Sequence, residues 1–208
     1  MNATISTSRR LRRTPFSDGV EAAGVKAYTV YNRMLLPTVF ESVEADYRHL
    51  KDHVQVWDVS VERQVELRGP DAGRLMQMLT PRDLRRMLPG QCYYMPVKGI
   101  ANGDRLVGLV DEPDVSPLAV QGPKADELMA RVFGDRVRDI RFFRFDMLQY
   151  EGVDLAIARS GYSKQGGFEI YLPDSSLGMT LWNDLFTAGE DLQVRAGCPN
   201  GIERIEGG

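Results

Sequence analysis

The chain has 208 residues, of which 43% are hydrophobic and 26% charged, an ordinary globular composition with length for one substantial core. A formal charge of −3 argues against non-specific nucleic-acid binding as its main task, and no apolar run approaches the ~18 residues of a membrane-crossing helix. Two cysteines, Cys92 and Cys198, with no Cys-x-x-Cys pair, are too few for a disulfide framework and suit a reducing cytoplasm.

Taken in order, Ser8-Arg9-Arg10-Leu11-Arg12-Arg13 superficially matches a twin-arginine signal. The following Thr14-Pro15-Phe16-Ser17-Asp18 is a turn and helix start instead of an apolar stretch, so the segment reads as a basic arm at an intramolecular or subunit contact. A short helix is expected over 19–24 and a strand from Tyr28 to Tyr31. Ser42 suits the N-cap of a helix from Val43 to Lys51, followed by a strand from Val54 to Val59 in which Trp57 reads as core. His49 and His53 have the i, i+4 spacing of metal ligands, but no third ligand accompanies them, and no metal site is expected. An internal echo follows. Val65-Glu66-Leu67-Arg68-Gly69-Pro70 leads into a helix with Leu75, Met78 and Leu79 on one face. Leu118-Ala119-Val120-Gln121-Gly122-Pro123 leads into one with Leu128, Val132 and Phe133. Each proline is placed in the first helical turn, where its missing N–H loses nothing. Two such units predict an α+β fold, a pseudo-symmetric antiparallel sheet with helices packed on it. A late helix runs from Leu181 to Ala188, with Trp182 and Leu185 inward and Gly189 as C-cap.

The most informative stretch is Ala158-Arg159-Ser160-Gly161-Tyr162-Ser163-Lys164-Gln165-Gly166-Gly167-Phe168-Glu169-Ile170-Tyr171-Leu172. A strand enters a Gly-rich turn and an alternating strand leaves it, with Phe168, Ile170 and Leu172 on one face and Glu169 and Tyr171 on the other. A carboxylate fixed on a strand suits a planar ligand with paired N–H donors. The structural alternative is a cross-strand salt bridge from Glu169 to Arg159.

This segment resembles the folate-binding signature of the aminomethyltransferase (glycine cleavage T-protein) superfamily. The Ser163-Lys164-Gln165-Gly166-Gly167 variant is similar to its dimethylsulfoniopropionate demethylase branch. Gly24-Val25-Lys26 with Tyr31-Asn32-Arg33-Met34-Leu35-Leu36, His53 to Glu66, Arg141-Phe142-Phe143-Arg144-Phe145-Asp146 and Gly197-Cys198-Pro199-Asn200-Gly201-Ile202 resemble the same branch, so the likeness covers nearly the whole chain. It implies a folate-binding domain, tetrahydrofolate as cofactor, and methyl transfer from a small sulfonium substrate, with neither nucleic acid nor membrane as partner. Homodimerisation is a family-level expectation.

The resemblance also implies roles. Glu169 would anchor the pterin, Tyr162 border the folate, and Tyr94 match the family tyrosine that precedes a catalytic aspartate, here Asp104. Tyr31 would line the substrate site, and Lys26 or Arg33 would pair the substrate carboxylate. The chain reads as one partial folate-binding domain over 1–208, internally shortened near 104–113, with the family's C-terminal barrel domain absent. Two competing readings remain: a glycine cleavage aminomethyltransferase, against which the Ser163–Gly167 turn argues, and a non-catalytic folate-binding remnant or fragment.

Overall fold

A computed structural model of the protein describes residues 11–96, 109–111, 113–199, 201–202 and 205. Helix α1 (Ser17–Ala22) leads to a hairpin, β1 (Ala27–Tyr31) and β2 (Met34–Val39), then α2 (Val43–Asp52) and β3 (Gln55–Asp58). Next come β4 (Glu66–Arg68), α3 (Ala72–Leu79), β5 (Leu109–Asp111), β6 (Ser116–Gln121) and α4 (Ala125–Phe133). The chain continues through β7 (Phe145–Tyr150), β8 (Val153–Ala158), β9 (Gly167–Leu172), α5 (Gly178–Ala188) and β10 (Arg195–Gly197).

Strands β10-β3-β6-β9-β8-β7, in that spatial order, form one six-stranded sheet. Every neighbouring pair is antiparallel except β10 with β3, so the sheet is mixed at one edge. Period-two alternation decides its faces. Val56, Leu118, Val120, Leu155, Ile157, Phe168, Ile170 and Leu172 are all but inaccessible and share one core with Leu128 and Met129 of α4 and Leu181, Trp182 and Leu185 of α5. Each such side chain contributes about 1.5–3 kcal/mol relative to exposure, which anchors the strands whose other face builds the site. The Ser42 hydroxyl caps α2 by accepting from Ala45 N–H at 3.1 Å, and Gly189 N–H closes α5 on the Leu185 carbonyl. Arg13 of the N-terminal arm makes an intramolecular contact, with Asp18 at 2.6 Å and Glu21 at 2.7 Å.

The internal echo is present as local geometry. Gly69 and Gly122 have φ of 120° and 121°, and each carbonyl accepts from the N–H three residues on, Ala72 at 3.1 Å and Ala125 at 3.0 Å. Three expectations change. Pro70 and Pro123 lie in these type I turns, one residue before the caps Asp71 and Lys124, not in the first helical turn. The two strands do not share a sheet: β4 pairs with β5 in a separate ribbon, while β6 sits inside the large one. Met78 does not join Leu75 and Leu79 in the core but is 72% exposed, because it lines an open cavity shared with Leu84, Met87 and Phe145.

Candidate functional site

On the sheet face opposite the main core, the register sets Gly197, Trp57, Ala119, Glu169, Ala158 and Phe145 in one row across six strands. Trp57 is 1% exposed, and its indole N–H donates to Gln55 Oε1 at 2.8 Å. The row explains the room around Glu169. Its cross-strand neighbours are Ala119 and Ala158, so the flanking strands present only methyl groups beside this half-buried residue.

Two hydroxyls hold one oxygen of that carboxylate. Ser160 Oγ donates to Glu169 Oε2 at 2.7 Å and Tyr171 Oη donates to the same atom at 3.0 Å. Among the described residues no hydrogen bond reaches Oε1. The alternative partner, Arg159, is engaged elsewhere: its Nη2 meets both oxygens of Asp126 at 2.7 and 2.6 Å, and its guanidinium lies 5.0 Å from the Phe168 ring centre.

The same neighbourhood includes Glu62 and Cys92. Burial, and then the negative charge of Glu169, push the Glu62 carboxyl above its usual range. They act alike on the Cys92 thiol. Burial, the Glu169 charge and the hydrogen bond to it hold the Tyr171 phenol far above the ordinary phenol range, so Tyr171 remains a donor. Two carboxylates that feel each other's charge favour a ligand bringing N–H donors or positive charge.

The Gly-rich turn is fixed from beneath. Buried Gln121 donates through Nε2 to the carbonyls of Ser160 and Phe168, both at 3.3 Å, and accepts at Oε1 from the fully buried Ser163 at 2.7 Å. Gly161 and Gly167 have φ of 153° and 149°. A Cβ on either would run into the Gln121 amide, so glycine is required there by close approach as well as by backbone conformation.

The remaining expected residues divide. Tyr162 is 42% exposed in this turn. Tyr31 is exposed at the β1–β2 tip, which Asn32 ties to the Val61 carbonyl at 2.8 Å, beside Glu62. Lys26 lies at the opposite end of β1, where its ammonium donates to the Glu41 carbonyl at 2.7 Å; the structure does not bring it to Tyr31. Tyr94 is 82% exposed, with its carbonyl held by Arg82, while the more buried Tyr93 ring packs 4.6 Å from the Arg82 guanidinium carbon. Asp104 lies outside the described residues. Sequence reasoning missed Ser160, Glu62 and Cys92. Ser160 sits within the Gly-rich motif, but only the fold brings it to Glu169.

Residues 16–111 and 107–208 match the family description "GCVT N-terminal domain". The chain belongs to that family. This GCVT-domain chain is 60% identical to the dimethylsulfoniopropionate demethylase DmdA of Ruegeria pomeroyi over 240 aligned positions, covering 99% of this chain and 66% of that protein. It is 27% identical to an aminomethyltransferase of Exiguobacterium sibiricum, covering 86% of this chain and 59% of that one. The fold matches a crystal structure of glycine cleavage system aminomethyltransferase T from Bartonella henselae with a TM-score of 0.75 at 20% identity, covering 90% of this chain and 60% of that one. The GCVT-domain chain therefore has the α+β fold of that protein and spans between 59% and 66% of the length of these relatives. Among the described residues no helix is long and apolar enough to cross a membrane.

Proposed function

We propose that the chain builds the folate-binding part of a methyltransferase that takes a methyl group from dimethylsulfoniopropionate. The observation that carries this reading is Glu169, a rigidly held carboxylate with one oxygen unclaimed among the described residues and alanine as its neighbour on both flanking strands. That environment fits the N–H edge of a planar aminopyrimidinone. The choice of methyl donor rests on the 60% identity to the demethylase.

Glu169 would hold the pterin edge, with Tyr162 and Tyr94 toward the folate and Asp104 near the transferring carbon. Tetrahydrofolate, when bound, would supply the N5 lone pair that receives the methyl group, and loss of the N5 proton to solvent would leave 5-methyltetrahydrofolate. A sulfonium is an activated leaving group: sulfur keeps the bonding pair and leaves as the thioether methylmercaptopropionate. The protein's task is then orientation, worth about 7–11 kcal/mol at its best. Tyr31 would offer the cation an aromatic face worth about 0.5–2 kcal/mol, and Glu62 adds negative charge. The hairpin bond of Lys26 to Glu41 favours Arg33 over Lys26 as partner of the substrate carboxylate. A cytoplasmic homodimer is the accompanying proposal.

A second reading, folate binding without turnover, is favoured by one observation. The alignment with the demethylase runs over 240 positions against 208 residues here, and the family match divides into two segments that meet at 107–111. A partial domain shortened near 104–113 accounts for both. Mass spectrometry of the protein incubated with tetrahydrofolate and dimethylsulfoniopropionate separates the readings. Formation of 5-methyltetrahydrofolate that disappears in Glu169→Ala is the expected result. Folate binding without product assigns the remnant role, and the absence of both overturns the folate reading.

A further inference from the structure

The carboxylate of Glu169 is not symmetric. Both protein donors, Ser160 Oγ at 2.7 Å and Tyr171 Oη at 3.0 Å, converge on Oε2. The two come from opposite sides of the residue in sequence: Ser160 opens the turn before β9, and Tyr171 is the next side chain on the same strand face. Ser160 is itself fixed, because its carbonyl accepts from buried Gln121. Tyr171 projects from a strand whose alternate residues are fully buried, so its ring has little freedom. A carboxylate oxygen has about two lone-pair sites, and Oε2 has both in use.

We propose that Ser160 and Tyr171 are positioning residues that lock the plane of the Glu169 carboxylate, so that a pterin is received through Oε1 and not by a symmetric two-oxygen fork. The proposal rests on Glu169 as pterin anchor and extends it. An unlocked carboxylate would rotate about its terminal torsion, which is soft, and would lose orientation on every binding event. Tyr171 suits the task because it faces Glu62, Cys92 and Glu169 and stays protonated.

The test is calorimetric titration of the protein with tetrahydrofolate under reducing conditions at neutral pH, for wild type, Ser160→Ala, Ser160→Thr, Tyr171→Phe and Glu169→Gln. Circular dichroism checks that each variant folds. Tyr171→Phe keeps the ring and so tests the hydroxyl alone even if the Ser160 turn tolerates no change. The expected result is affinity weakened about tenfold by Ser160→Ala and by Tyr171→Phe, on the scale of one charge-assisted hydrogen bond. Ser160→Thr should restore the affinity. If Glu169→Gln abolishes binding while Ser160→Ala and Tyr171→Phe leave the affinity unchanged, the positioning role is overturned and the anchor stands. If Glu169→Gln binds as wild type does, both are overturned.

Discussion

His49 shows how a single buried residue sets a condition on the fold. Its Nε2 meets the Gln193 carbonyl at 2.8 Å and its Nδ1 meets Gln55 Nε2 at 3.3 Å. A carbonyl only accepts and an amide nitrogen only donates, so the network assigns a neutral ring with the proton on Nε2. Burial, the leading cause, lowers its pKa from 6.5 to about 4. Above pH 6.5 the ring is neutral in the folded and unfolded chain alike. As the pH falls toward 4, the unfolded chain gains a proton that the fold refuses, and stability drops. Fully realised, the shift is worth about 3 kcal/mol. Solvent screening through the adjoining cavity, lined by Glu41, Asp46, His49 and Arg195, reduces the expected loss to about 1–2 kcal/mol. Urea unfolding at pH 7 and pH 4.5 should show that increment in wild type and lack it in His49→Gln, with carboxylate titration common to both. Trp57 depends on the same network. Trp57→Phe leaves Gln55 Oε1 unpaired in the interior, and a loss of about 1–3 kcal/mol is expected in urea unfolding at neutral pH.

The repeated turn–helix units allow a controlled comparison at the level of elements. Gly69 and Gly122 share nearly the same positive φ, so alanine at either incurs a similar backbone cost of about 1 kcal/mol. Only at Gly122 would the added Cβ also strike backbone, at the carbonyls of His53 and Leu50; at Gly69 nothing lies within 4 Å. Gly122→Ala should therefore lower the urea midpoint well beyond Gly69→Ala. The same pair shows how far sequence pattern reaches. The Gly-Pro signature is local and marks both breaks between strand and helix, though not that each proline precedes the cap, and the alternation from Phe168 to Leu172 is enough to assign the two faces of β9. Which sheet each strand joins is a long-range matter of register, and the likeness of the two segments does not determine it. Met78 departs from expectation for a related reason: helical periodicity identifies a face but not how much of that face a neighbouring segment covers. At the candidate site, the position of Glu169 is legible in the sequence, whereas its partner Ser160 requires the turn to close.

Across the whole molecule, α4 and α5 cover one face of the six-stranded sheet and the site row lies on the other, with α2 over its β3 end, while β4 and β5 stand apart as a two-stranded ribbon. Two strands alone hold little buried area, and opening free energies follow such differences. Hydrogen–deuterium exchange should find the slowest amides in β6 and β9 and the fastest strand amides in β4; comparable protection in β4 would contradict the arrangement. One feature of the sheet bears on biosynthesis. Strand β3 pairs on one side with β6 and on the other, in parallel, with β10, where Gln55 meets Arg195 and Trp57 meets Gly197. While the ribosome is still decoding the stretch between those partners, β3 must wait with one edge open. A nascent chain paused before Arg195 would thus offer the Gln55–Asp58 edge to chaperones or to a neighbouring nascent chain.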